Sequence, residues 1–395
     1  MRYNEYPRGR RFLRPRSSSC GVCRLRQAQV LFLCLFSVIS ILYLNSRVDP
    51  EKTGQKGKER SWKLGNVFRI VRGEDMSDSA VFVSFKGGRK GELTFRKNPR
   101  FTESKCPSSL QHKLRNNSWS SSLYAPAIHM LMNSQLLNQS EYNRLRPYFM
   151  PFGYRTKSRF GYKDIIKTLR LFPAKQSIFN FVNSQRPQCM TCAVVCNGGI
   201  LNGSRRGREI DGHHMVLRLN KAVRRKHEMD VGNRTTHYFF FDRSLRETLP
   251  DDVPNDKGMM YIFIPCRDND YRYIRNVVHN KEPKINASAE DIRILHPDFI
   301  RYIHKIWVRS HLRAFRPTTG TIMLFTALFA GCDQVSVYGM GYNDNFTLYY
   351  YDEEFRLFKM AKNSHDTKSE LKILKRLDQM GAIQWYQRGI SDFFH

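Results

Sequence analysis

Five short stretches of this chain carry side chains whose types and spacing could do chemistry. His365 stands five residues before Glu370, ahead of the helical run KSELKILKRLDQM. Thr367 and Glu370 have the spacing of a capping box, and Gly381 closes the run, so His365 falls on the loop before a helix start. A histidine titrates near neutrality and can take a proton from a hydroxyl; the alternative is an exposed loop residue, with Glu370 a cap only. Arg316-Pro317-Thr318-Thr319-Gly320 precedes a second helical run, TIMLFTALFAG. Free amides and hydroxyls at such a start suit a phosphate or carboxylate, and an ordinary threonine N-cap reads the same way. The strand-like CAVVC ends in Asn197-Gly198-Gly199. Glycines admit a nucleotide close to the backbone and an asparagine amide reads a base or ribose, although this triplet is also a common turn. Asp268-Asn269-Asp270 has the form of a divalent-metal clamp, and we read it as a turn. Cys189 and Cys192 form a CxxC with no second pair of metal type, which favours disulfides to distant partners over zinc.

These stretches need elements to position them. Apolar runs at 192–197, 214–220, 237–242, 259–265 and 335–340 read as strands. Helical patterns fall near 163–171, 297–308, 320–330 and 368–380. Buried strands alternating with helices predict an α/β fold with a mostly parallel twisted sheet flanked by helices. Such folds bind ligands at the carboxyl ends of their strands, and both the Asn197 loop and the Thr318 loop suit that place. The divisions expected along the chain are a tail (1–27), an apolar span (28–44), a spacer (45–105) with a hairpin around Gly87 and Gly88, and a globular domain (106–395).

The apolar span AQVLFLCLFSVISILYL is long enough, at ~1.5 Å per residue, to cross a thin bilayer core of ~27 Å. Eight arginines precede it (residues 2, 8, 10, 11, 14, 16, 24 and 26) against one acid, Glu5, which predicts a cytosolic N-terminus and a luminal body. No small-residue cleavage site follows, so an uncleaved anchor is expected rather than a signal peptide. Glycosylation sequons stand at Asn116, Asn138, Asn202, Asn233, Asn286 and Asn345, all beyond the span. The chain has 395 residues and a formal net charge of +31, which points to anionic ligands. The basic residues are spread along the chain without a nucleic-acid-binding signature, so no nucleic-acid partner is expected.

Taken together, two long segments carry a resemblance. CAVVCNGGILNGSRRGREIDGHHMVLRLNKAVRRKHEMDVGNRTTHYFFFD (192–242) resembles the long sialylmotif of animal sialyltransferases, and RPTTGTIMLFTALFAGCDQVSVYGM (316–340) resembles their short one. NGGILNGS, ILHPDFI and GCDQVSVYG are most similar to the enzymes that add sialic acid α2,6 to O-linked N-acetylgalactosamine (GalNAc). The resemblance implies a Rossmann-like, GT-A-like fold. It implies a type II Golgi membrane protein that transfers sialic acid from CMP-sialic acid to glycoprotein O-glycans, without a metal. Other linkages, α2,3 or α2,8, and a relative that binds glycan or nucleotide with weak turnover are the alternatives.

The resemblance also implies roles. Asn197 and Asn220 hold the CMP moiety, and Thr318, Thr319 and Gly320 hold its phosphate and the sialic acid carboxylate. His365, in a His-x4-Glu motif, is the base. Cys192 pairs with Cys332, and Cys106 with Cys189. Cys196, where the family has glycine, is a buried thiol or a partner for Cys266. The third family motif, His-Tyr-Tyr-Glu, reads Tyr349-Tyr350-Tyr351-Asp352 here. Tyr349 takes the place of a histidine expected at the donor phosphate; it can donate a hydrogen bond but carries no positive charge. The aromatic stretch 147–162 is an acceptor-binding candidate, or core.

Overall fold

In the computed structural model, the residues described are 70–71, 81–87, 91–179, 186–282, 285, 287–310, 316–341, 343, 345–355 and 365–388. The tail, the apolar span and most of the spacer lie outside them, as does Asn286. Among the described residues no helix is long and apolar enough to cross a membrane.

Two sheets form. A small antiparallel one joins β1 (Ile70–Val71), β2 (Phe82–Phe85) and β3 (Thr94–Arg96). β2 and β3 are the hairpin expected in the spacer. Its inward residues Phe85 and Phe95 are buried against Tyr302, with ring centroids 5.9 and 5.5 Å away. The large sheet has seven strands: β4 (Thr191–Val195), β5 (Met215–Leu219), β6 (His237–Phe240), β7 (Met260–Phe263), β8 (Ile292–Ile294), β9 (Gln334–Tyr338) and β10 (Gln384–Trp385). Their order is β10-β9-β4-β5-β6-β7-β8, and every pairing is parallel. The chain therefore runs outward from β4 to β8, then returns to the other side of β4. That reversal puts the switch point, where loops diverge and a crevice opens, at the carboxyl ends of β4 and β9.

The strands are apolar on both faces because both faces are covered. Cys192 and Val194 of β4 pack with Leu217 of β5 under the helix Thr319–Ala330, while Ala193, Val195 and Val216 face the opposite layer. Residues Gly320 to Phe329 of that helix are all buried, and it lies across β4, β5, β6 and β9. The one charged residue inside a central strand, Arg218, is 1% exposed. Its guanidinium donates to the carbonyls of Arg234 and Val231, which satisfies a cation that burial would otherwise make costly.

Two disulfides fasten this arrangement, Cys106–Cys189 and Cys192–Cys332, both as expected. The second ties β4 to a cysteine two residues beyond the Thr319–Ala330 helix, so the end of the helix is fastened to the strand. Cys196 and Cys266 do not pair; each is a buried free thiol.

Candidate active site

The Thr319–Ala330 helix begins against the carboxyl ends of the central strands. A Cβ at Gly320 would stand 3.0 Å from Cys196 Sγ and 3.7 Å from Leu219. These two residues immediately precede Asn197 and Asn220, so one helix start meets the ends of β4 and β5.

Thr318 caps the helix, its Oγ1 accepting from the Thr321 N–H at 3.1 Å. Its other groups are also engaged. Glu370 accepts from the Thr318 N–H at 2.9 Å and from the hydroxyls of Thr318 and Thr321 at 2.5 Å each. The amide and hydroxyl of Thr318, read from the sequence as open to a phosphate, both donate to Glu370 in this structure. The amides of Thr319 and Gly320 carry no hydrogen bond among the described residues and remain available at the positive end of the helix dipole.

Glu370 is not the cap of its own helix. Asp366 caps it, accepting from the Ser369 N–H at 3.1 Å. An aspartate one residue before Thr367 displaces the capping box read from the sequence and frees Glu370 to turn inward. Burial pushes the Glu370 carboxyl up to about 7, opposed by its bonds to Thr318 and Thr321.

His365 lies just before Asp366, and its Nδ1 is 2.8 Å from the carbonyl oxygen of Arg316. A carbonyl only accepts, so Nδ1 carries the proton and Nε2 is left with the lone pair. Burial lowers the His365 pKa below the ordinary imidazole range, with the Arg316 charge acting the same way and the carbonyl bond opposing. The ring is therefore neutral at neutral pH, as an acceptor of protons must be. His365 and Glu370 together grip the 316–321 loop at both of its ends. Arg316 itself lies over the ring of Phe241, 4.9 Å from its centroid, at the end of β6.

Asn197 and Asn220 come to the same edge. The Asn197 side chain reaches the Tyr351 hydroxyl, and its carbonyl accepts from the Tyr350 N–H at 3.0 Å. Asn220 takes a left-handed backbone, φ 49°. Its carbonyl accepts from the Tyr238 hydroxyl, while its Oδ1 is buried with no partner among the described residues. A buried amide oxygen left open is a cost unless a ligand fills it.

Gly198 and Gly199 do not hold space for a ligand. A Cβ on Gly199 would fall 2.0 Å from the Thr347 carbonyl oxygen, and one on Gly198 2.5 Å from that of Gly339. The glycines admit the chain that follows β9, which brings the tyrosine motif to the crevice. Tyr349 is half-exposed there and stacks on Tyr351 at 5.3 Å, and the Lys221 ammonium lies 5.4 Å from the Tyr351 ring centroid. Local spacing carries no sign of this cation beside the motif, nor of His227, which packs edge-on to Tyr350 at 5.2 Å.

The acidic pair resolves differently from its reading as a turn. Asp268 and Asp270 open the helix Asp268–Val278. Asp270 accepts from the N–H groups of Cys266 and Arg267, and Asp268 from the Ser158 hydroxyl. Among the described residues, Glu141, His296 and Asp298 form one cluster with the makeup of a metal site. Arg144 pairs with both carboxylates at 2.6 Å, Arg301 with Asp298 at 2.5 Å and Arg96 with Glu141 at 3.2 Å. Guanidinium groups already supply the charge a cation would bring.

Comparison with known proteins extends the picture. The model of glycosyltransferase family 29 (sialyltransferase) matches residues 131–382. Human alpha-N-acetylgalactosaminide alpha-2,6-sialyltransferase 1 is 34% identical over 315 residues, which cover 72% of this chain and 52% of that protein. The human alpha-2,6-sialyltransferase 2 of the same name is 33% identical over 297 residues, 67% of this chain and 78% of that one. The chain thus spans about half the length of the first of these relatives. A crystallised mammalian sialyltransferase shares the fold with a TM-score of 0.58 at 23% identity, covering 73% of this chain and 100% of its own.

Proposed function

Since the chain belongs to glycosyltransferase family 29, the sialyltransferases, we propose that it transfers sialic acid from CMP-sialic acid to O-linked GalNAc of glycoproteins in α2,6 linkage. The observation that carries this reading is the arrangement at His365: Nδ1 fixed on the Arg316 carbonyl and Nε2 without a partner among the described residues, beside a helix start whose Thr319 and Gly320 amides are likewise open among them. The acceptor choice rests on the identity to the two alpha-N-acetylgalactosaminide enzymes.

The step is a single inverting displacement. The acceptor hydroxyl oxygen forms a bond to the anomeric carbon of the sialyl group while the bond from that carbon to the CMP phosphate oxygen breaks. The leaving electron pair stays on phosphate, and the acceptor proton passes to His365 Nε2. The amides of Thr319 and Gly320 meet the charge that grows on the phosphate. Asn220, with its open Oδ1, and Asn197 take the nucleoside. Lys221 supplies the positive charge that Tyr349 lacks. A phosphodiester leaves as a monoester, and amides with a cation suffice for that charge, so no metal is required. Segment 28–44 anchors the chain in the Golgi membrane with the body luminal. Asn116, Asn138, Asn202, Asn233 and Asn345 are all exposed, in keeping with glycosylation.

The test is an acceptor panel with EDTA present: a GalNAc glycopeptide, Galβ1,3GalNAc and an N-glycan, followed by linkage analysis of the product. Metal-independent α2,6 transfer to GalNAc is the expected result. Transfer only to the other acceptors, or α2,3 or α2,8 product, overturns the acceptor assignment.

A further inference from the structure

The stretch 142–161 folds around a cavity of about 880 Å³, separate from the crevice described above. Its wall is built from Tyr142, Tyr154 and Phe160, and its rim from Arg146, Arg155 and Arg159. No lining residue is acidic, and none of the three arginines is in an ion pair among the described residues. Arg155 only lies over the Phe149 ring, 4.5 Å from its centroid. Two carboxylates touch the lining from behind neutral donors, not from the arginines: Asp164 accepts from the Gly161 N–H, and Asp268 from the Ser158 hydroxyl. Three unpaired guanidinium groups around one opening favour an anion, and their planar forks match a sulfate or carboxylate.

The walls narrow the choice further. The volume is that of a site for a small organic ligand, well above the room a bare ion needs. Tyr142 and Tyr154 stack at 5.7 Å with an interplanar angle of 16°, which keeps both rings fixed. Phe160 is only partly buried beside them, and an aromatic surface of this kind suits the flat apolar face of a pyranose. No lining residue belongs to a strand, so an extended peptide finds no edge to pair with. Ser158, through Asp268, ties the cavity to the helix that follows β7, at the carboxyl end of the same sheet.

We propose that this cavity is a second carbohydrate site, for an anionic sugar bearing a sulfate or carboxylate on the glycoprotein substrate, an inference that rests on the glycan-directed reading above. The test is equilibrium binding to the full chain of three saccharides: the disaccharide Galβ1,3GalNAc alone, the same with one sulfate, and the trisaccharide made by adding one sialic acid. A glutamate-rich peptide runs alongside. The variants are the triple Arg146→Gln, Arg155→Gln, Arg159→Gln, and a charge-matched control, Arg208→Gln, Lys372→Gln, Lys375→Gln. The net charge of +31 would hold any anion weakly, and the control separates that effect. Wild type should bind one or both charged sugars about tenfold more tightly than the neutral one, as expected for losing one charge-assisted pair. The triple variant should lose that preference, and the control should keep it. Which sugar binds identifies the source of the charge. Equal binding of all three sugars, a preference that survives the triple variant, or an equal loss in the control overturns the site. Preferential binding of the peptide overturns its assignment to saccharide. CMP affinity and transfer to GalNAc are measured in the same preparations. If transfer is absent while the arginine-dependent preference holds, the proposed reaction fails and the cavity's ligand does not.

Discussion

Replacing Glu370 by glutamine should change how the stability of this protein depends on pH. The carboxylate is 6% exposed and accepts from the Thr318 N–H and the hydroxyls of Thr318 and Thr321. Burial raises its pKa from 4.5 to about 7 in the folded chain. An acid with a higher pKa folded than unfolded holds its proton more tightly when folded. Its contribution to stability is therefore full below the unfolded value and is lost as pH rises through the folded one. At about 1.36 kcal/mol per unit, that interval amounts to about 3 kcal/mol. Glutamine has nearly the same volume, keeps an acceptor for the Thr318 N–H and does not titrate. The stability of wild type relative to Glu370→Gln should thus fall by about 3 kcal/mol between pH ~5 and pH ~8. Urea unfolding at the two pH values measures it, read from Cm with m unchanged. Identical pH slopes in the two proteins would refute the reasoning. Glu370→Ala should cost about 3–4 kcal/mol even at the lower pH, because it strands three buried donors and opens a cavity.

Asn220→Gly keeps the left-handed backbone and removes the open amide oxygen, so CMP affinity should fall about tenfold with little change in Tm; calorimetric titration with CMP decides it. Gly320→Ala should cost about 1–2 kcal/mol by pressing on Cys196 Sγ, and Cys196→Ala should restore most of it. Additive effects in that double-mutant cycle would contradict the contact. Opening the Cys192–Cys332 bridge by Cys192→Ser with Cys332→Ser releases a 140-residue separation and should cost about 2–5 kcal/mol, measured by thermal unfolding under non-reducing conditions.

The central strands were legible because a parallel strand buried on both faces is a near-continuous apolar run: β7 is one throughout, β4 and β6 are after their first residue, and β5 and β9 are interrupted only by Arg218 and by Gln334 and Ser336. β8 and β10 have three and two residues and leave no such signature. The helix at Asp268–Val278 hid behind DND, whose acids look like a turn until the Cys266 and Arg267 amides are seen to be held by Asp270. At the site, single positions were readable and their partners were not. Glu370 has cap spacing, and nothing local says that Asp366 will cap first and leave it to reach across 52 residues to Thr318. The glycines after Asn197 looked like room for a nucleotide because Thr347, whose carbonyl fills that room, comes from beyond β9. Contacts between distant loops depend on the sheet order, which no local pattern states.

The most direct test of the account is single-turnover transfer from CMP-sialic acid to a GalNAc glycopeptide by the wild-type chain and by His365→Gln, with CMP binding measured in both. A base fixed on the Arg316 carbonyl predicts that the variant binds CMP as well as wild type and loses about 10²- to 10⁴-fold in rate. Wild-type rate should fall as pH drops through the depressed His365 value, and the variant should lack that limb. Transfer by His365→Gln at the wild-type rate, with the same pH profile, would contradict the central claim.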